Sequence, residues 1–208
     1  MSTWKRIGLI LLPWLLLIST YLVFRWSANL FGIKSGFLAG YLFYWLVWCY
    51  GIPLLILGPA KVLSLFKINN KLSWLILTLM LIPVIIAFLG IPFWPNLVKL
   101  TPLIGLVSLF SALINGTGEE LFWRGLYCKS FPDNLFLGYL YPTLMFTFWH
   151  LSPRAVQPAG VSTFSFLLGA LLMGLCWGFI AWKTKSIRWA VVSHIIVNLP
   201  WLAGFYFF

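Results

Sequence analysis

Six side chains in the second half of this sequence have the types and spacing of a hydrolytic site. Glu119 and Glu120 are adjacent, and Arg124 follows Glu120 by four residues; His150 comes later, and Asn198 follows His194 by four. On a helix, residues four apart share a face, so Glu120 and Arg124 can pair, with the acid ahead of the base in the favourable order. His194 and Asn198 emerge together on a face of their own segment. Glu119 is turned about 100° from Glu120 and so points away from Arg124. A carboxylate and an imidazole can hold and deprotonate water, and N–H donors can stabilise the oxyanion that follows. No serine or cysteine sits beside a histidine with a partner acid, which leaves covalent catalysis without its parts. The reading is of a site without a cofactor. Zinc is the alternative, with Glu119, His150 and His194 as its ligands, although no HExxH is present.

These groups sit in unusual surroundings. Hydrophobic residues make up 62% of the chain and charged ones 8%, with a mean hydropathy of +0.99. A soluble domain of this length needs a charged surface that the composition cannot provide. Apolar runs recur along the whole length, continuous rather than alternating, so the expected fold is all-α, a polytopic transmembrane helical bundle and not a barrel. Only three acidic residues occur, Glu119, Glu120 and Asp133, and a carboxylate inside an apolar run costs about 2.5–3.5 kcal/mol to insert. Such a group needs a partner and a role. The net charge of +11 comes from Lys and Arg scattered between the runs, never more than two together. That is the pattern of topology determinants and headgroup contacts, and it argues against nucleic acid as a partner. Cys49, Cys128 and Cys176 are widely spaced in apolar sequence and read as small buried hydrophobes.

The elements that must position the site are about seven spans, at 7–24, 37–58, 73–91, 102–128, 135–151, 163–182 and 189–206. They are separated by Gly58-Pro59, Ile68-Asn69-Asn70, Pro92 with Pro95-Asn96, Pro132-Asp133-Asn134 and Ser152-Pro153, all turn chemistry. A cytoplasmic amino terminus puts Lys5, Arg6, Lys61, Lys67, Lys71, Lys129, Lys183, Lys185 and Arg188 inside, and Arg25, Lys34, Lys99 and Arg154 outside. This fits the positive-inside rule. Residues 1–208 read as a single membrane-embedded domain, with 1–100 as accessory helices and 101–208 as the core that carries the chemistry.

Depth raises a difficulty. A fifth helix beginning at 135 would carry His150 about 22 Å from its start, beyond reach of the glutamates and His194. A start at Tyr141-Pro142 shortens that climb to about 12 Å, since proline suits a first helical turn. Gly116, Gly118 and Gly125 around the glutamates, and Gly169, Gly174 and Gly178 in the sixth span, permit close helix approach. The aromatics Phe122, Trp123, Phe146, Phe148 and Trp149 read as packing and interfacial belt.

Glu-Glu-x-x-x-Arg at 119–124, Phe-x-x-x-His at 146–150 and His-x-x-x-Asn at 194–198, in that order on late spans, resemble the CPBP family of membrane endopeptidases. That family includes CAAX prenyl proteases of the second type and bacteriocin-processing or immunity-associated proteins. Phe122-Trp123-Arg124-Gly125 and Thr184-Lys185-Ser186-Ile187 add to the likeness, which covers roughly 102–205. The resemblance implies that Glu119 and His150 activate the attacking water and that His194 and Asn198 stabilise the oxyanion. Glu120 and Arg124 would support them. It further implies an intramembrane endopeptidase acting on a protein or peptide substrate at the bilayer: prenylated, leader-bearing or with a carboxy-terminal sorting tail. A compact chain of this kind is expected in a prokaryotic cytoplasmic membrane.

Two other readings use the same residues. Buried Glu, His and Arg also build transporters and proton or ion relays. A non-catalytic immunity or scaffold protein would keep the cluster as architecture, since Glu120 with Arg124 can be a structural ion pair.

Overall fold

The computed structural model describes residues 2–67, 72–90, 101–156 and 162–205. Among them the chain is helical throughout, without strands. The expected turns at Ile68-Asn69-Asn70 and at Pro92 to Asn96 lie outside the described residues, as do Lys71 and Lys99.

Helix α1 (Thr3–Phe31) begins at a Ser2 cap and is longer than its predicted 7–24 core. Gly32, at φ 80°, turns the chain back into α2 (Ile33–Phe43), a backbone conformation that glycine adopts without strain. The two helices close as a hairpin in which the Ser27 hydroxyl donates to the Gly36 carbonyl at 2.8 Å. A π-helical stretch (Tyr44–Gly51) then leads into α3 (Ile52–Leu57), and Gly58-Pro59 opens the short α4 (Pro59–Ser64). After α5 (Trp74–Gly90) comes α6 (Pro102–Glu120), capped by Thr101 and continued by a π-helical Leu121–Leu126 and by α7 (Tyr127–Ser130).

The fifth predicted span is wound in two ways. Asn134 caps its start by accepting from the Leu137 N–H at 2.8 Å, a π-helical Phe136–Leu140 follows, and the α-helix α8 (Tyr141–Trp149) begins at Tyr141 with Pro142 in its first turn. The change of winding falls where Tyr141-Pro142 suggested a helix start, but the helix runs through it. Two of the π-helical stretches end just before a proline, Pro53 and Pro142. Proline offers no N–H to the carbonyl four residues back and crowds it, and a widened turn relieves both. The chain ends in α9 (Leu151–Arg154), α10 (Thr163–Thr184) and α11 (Arg188–Phe205).

Helix α11 packs on α6 and α5, α10 on α8, and α1 on α2, α8 and α9. Proline also explains how α1 is held. Pro13 deprives the Leu9 carbonyl of its helical partner, and the Tyr127 hydroxyl fills that place at 2.9 Å. Tyr141 donates to the next carbonyl, Ile10, and Ser152 to Leu17. In the same way Pro142 frees the Gly138 carbonyl, which accepts from the Cys128 thiol.

The core is aromatic, with Tyr44, Phe122, Trp123, Phe146, Trp149 and Trp177 buried. Of the aromatics near the motifs, only Phe148 faces outward at 46% exposure, so the other four are core rather than belt. The outer surface carries Leu, Ile, Phe and Trp, including Leu55, Trp74 and Leu89 at over four-fifths exposure. Polar groups lie inside and apolar ones outside, the arrangement a bilayer imposes. Among the described residues, Thr3–Phe31, Ile33–Leu57 and Thr163–Thr184 are long and apolar enough to cross a membrane, and Trp74–Leu89 is a shorter apolar helix. The chain is an integral membrane protein.

Candidate active site

The last turn of α6 delivers both glutamates into the core, Glu119 at 2% exposure and Glu120 at 0%. Arg124, one turn further on, donates from Nη1 to Glu120 Oε1 at 2.9 Å and from Nη2 to the Gly174 carbonyl at 3.4 Å. Its guanidinium lies over the Phe146 ring, 4.3 Å from the centroid. Gly174 makes room for it: a Cβ there would stand 3.2 Å from both Arg124 Nη2 and the Phe146 ring. The small residues of α10 thus seat a cation as well as a neighbouring helix.

His194, from α11, joins the two carboxyls. Its Nδ1 lies 2.8 Å from Glu120 Oε1 and its Nε2 3.3 Å from Glu119 Oε2. Close packing of α11 on α6 makes this possible, because the Ile195 backbone nitrogen stands 3.0 Å from where a Gly116 Cβ would be. The charges can then be followed atom by atom. Glu120 is ionised against Arg124, so Nδ1 carries a hydrogen and donates to it. A single proton remains for the contact between Nε2 and Glu119 Oε2. With that proton on nitrogen, Glu119 is a carboxylate beside an imidazolium; with it on oxygen, both are neutral. Either way the four groups together carry no net charge.

His150 caps α8. Its Nδ1 lies 2.8 Å from the Phe146 carbonyl, which only accepts, so Nδ1 holds the hydrogen and Nε2 presents a lone pair. The Phe146 side chain is a neighbour of both imidazoles. Phe146 stands 4.6 Å from the His150 ring and 6.3 Å from the His194 ring, between the two imidazoles. Asn198 is buried one turn beyond His194, and its Nδ2 has no hydrogen-bond partner among the described residues.

The structure therefore brings Glu119, Glu120, Arg124 and His194 into direct contact, with Asn198 on the same helix as His194 and His150 across Phe146. No group of three or more His, Cys, Asp or Glu side chains among the described residues is placed to hold a metal ion.

Four further residues shape the site without a motif to announce them. The Trp177 indole stacks on His194 and donates to Ser193 Oγ at 3.0 Å, and Ser193 donates on to the Met80 carbonyl. Trp45 Nε1 donates to Asn115 Oδ1 at 2.7 Å, and Trp123 Nε1 to the Tyr44 hydroxyl at 2.8 Å. Asn115 and Trp123 lie four residues to either side of Glu119, so Trp45 and Tyr44, which meet them, flank Glu119. In a membrane protein rich in aromatics, nothing in type or spacing marks Tyr44, Trp45 or Trp177. Asn115 alone carried a signal, as an amide one helical turn before Glu119.

A model of the family described as type II CAAX prenyl endopeptidase Rce1-like matches residues 100–200. No curated protein and no solved structure matches the chain. The matched stretch, just under half of the chain, holds both glutamates, Arg124, both histidines and Asn198, and in it the protein is similar to the Rce1-like family of type II CAAX prenyl endopeptidases.

Proposed function

We propose that this protein hydrolyses a peptide bond of a membrane-associated protein, using water activated by Glu119 and His150. The observation that carries the reading is the contact of His194 with both carboxyls, backed by Arg124 on Glu120. That arrangement leaves Glu119 without a guanidinium of its own and facing only Nε2 of His194, whose other nitrogen is held by Glu120. His150 Nε2 accepts one hydrogen of the water, and Glu119 takes the other as the oxygen attacks the carbonyl carbon. The carbonyl π-bond opens to an oxyanion. As Glu119 becomes neutral its hold on His194 Nε2–H weakens, and that donor turns to the oxyanion together with Asn198 Nδ2–H. Collapse of the intermediate breaks the C–N bond, and Glu119 returns its proton to the leaving amine. Donors preorganised in a dry site are worth about 3–4 kcal/mol each to such a step.

Access is lateral. An apolar groove of about 290 Å³ runs between Leu144, Thr147 and Phe148 of α8 and Phe164, Leu168 and Leu171 of α10. Phe166, between those α10 residues, stands 5.3 Å from the His150 ring. A lipidated or helical substrate in the bilayer can reach the site along this face without crossing water. The bilayer in question is a prokaryotic cytoplasmic membrane, with the amino terminus of the chain inside and no cofactor in the site.

The test compares new peptide termini in membranes from cells carrying the natural chain or Glu119→Gln, by mass spectrometry. Termini present with the natural chain and missing with the variant are expected. Identical sets in both would remove Glu119 as the base. A transporter built on the same residues would instead show cation flux in proteoliposomes that Glu119→Gln abolishes, with no change in termini.

A further inference from the structure

Tyr44 lies outside the stretch that matches the family, yet its hydroxyl meets Trp123, one helical turn past Glu119. The side chain is fully buried, its ring stacked on Trp149 with 4.0 Å between centroids and 18° between planes. Its oxygen accepts from Trp123 Nε1 at 2.8 Å. An indole N–H only donates, so the Tyr44 hydrogen is left to donate elsewhere. Trp123 follows Glu119 by four residues, which sets this hydroxyl beside the Glu119 carboxyl; the Cys49 thiol, its other neighbour, is much the weaker acceptor.

The next residue repeats the logic. Trp45 Nε1 donates to Asn115 Oδ1 at 2.7 Å, which turns the Asn115 NH2 away from Trp45. Asn115 precedes Glu119 by four residues on α6, so the two side chains share a face, and the amide approaches the Glu119 carboxyl. Consecutive residues on an α-helix diverge by about 100°. Tyr44 and Trp45 open the π-helical stretch Tyr44–Gly51, and their side chains meet Trp123 and Asn115, on either side of Glu119.

The two glutamates are thereby held differently. Glu120 is met by a guanidinium and an imidazole, whereas Glu119 is met by one imidazole nitrogen and two neutral donors. Neutral donors fix the direction of a carboxylate without supplying a full countercharge, which suits a group that must take and return a proton.

We propose that Tyr44 is a positioning residue for Glu119, its hydroxyl aimed by Trp123 and assisted by the Trp45–Asn115 pair. This rests on Glu119 being the base. Tyr44→Phe keeps the ring and its stack on Trp149 and removes only the hydroxyl. In proteoliposomes with an internally quenched farnesylated CAAX peptide, kcat should fall about ten- to hundred-fold, as for a lost hydrogen bond to a charged group, with KM within two-fold. Trp123→Phe should lower kcat less, and the double variant no further than Tyr44→Phe alone, because both act through one hydroxyl. A second arm needs no substrate: labelling of Glu119 by a hydrophobic carbodiimide, located by mass spectrometry, should quicken at least three-fold in Tyr44→Phe. Unchanged kcat with unchanged labelling overturns the proposal, as does an effect confined to KM or additive losses in the double variant. Glu119→Gln separates the two claims. If it is inactive while Tyr44→Phe keeps full kcat, Tyr44 alone is wrong; if it cleaves normally, the base assignment itself falls.

Discussion

The Trp177 indole lies parallel to the His194 imidazole, with 3.8 Å between ring centroids and 15° between planes. His194 is thus gripped on its face by an aromatic ring and at both nitrogens by carboxyls. Trp177 is itself fixed by its bond to Ser193. Replacing it with Phe retains a ring under His194 and removes the N–H, which should lower stability by about 1 kcal/mol. Trp177→Ala removes the platform, and about 3–5 kcal/mol is expected. Denaturant titration in detergent measures both, and equal effects of the two variants would show that the platform contributes nothing.

Arg124 and Glu120 form a buried pair in which each charge depends on the other. Arg124→Met should destabilise by about 3–5 kcal/mol, because it strands a carboxylate in the core. The double variant Glu120→Gln, Arg124→Met should recover part of that loss, since no charge is left unpaired. A double variant less stable than Arg124→Met would count against the ion pair as the source of the effect.

Tyr127 and Pro13 offer a second cycle. Tyr127→Phe removes the hydroxyl that donates to the Leu9 carbonyl, and leaving a buried acceptor unmet costs about 1–3 kcal/mol. With Pro13→Ala the helix regains an N–H at that place, so Tyr127→Phe should cost less in that background. Equal costs in both backgrounds would refute the claim that the proline orphans the carbonyl.

The cysteines differ in access. Cys49 and Cys128 are buried and Cys176 is partly exposed. A membrane-permeant maleimide should label Cys176 first, with the other two reacting only on denaturation, as peptide mass spectrometry would show. Early labelling of Cys49 would be incompatible with the packing around Tyr44.

What was legible in the sequence follows the range of the interaction. The pairing of Glu120 with Arg124 is a matter of four residues on one helix, and spacing alone announced it. The helices themselves follow from apolar runs that have no other solvent than lipid. The bridge from His194 to both glutamates depends on how α11 lies against α6, which no local pattern encodes. Trp177, Tyr44 and Trp45 were hidden for a different reason. With 13 tryptophans and 8 tyrosines in the chain, an aromatic residue carries almost no information until its neighbours are known. The winding of 136–149 was half visible: proline marked where it changes, but not that the turn before it widens rather than breaks.

The ties that hold α1 set an order on biogenesis. Three of its carbonyls are served by hydroxyls more than a hundred positions downstream, on Tyr127, Tyr141 and Ser152. When the ribosome has delivered only the first hairpin, those donors have not been made, and the carbonyl freed by Pro13 faces hydrocarbon. The first helix therefore waits, docked only on its immediate successor, and is locked into place after the later segments arrive.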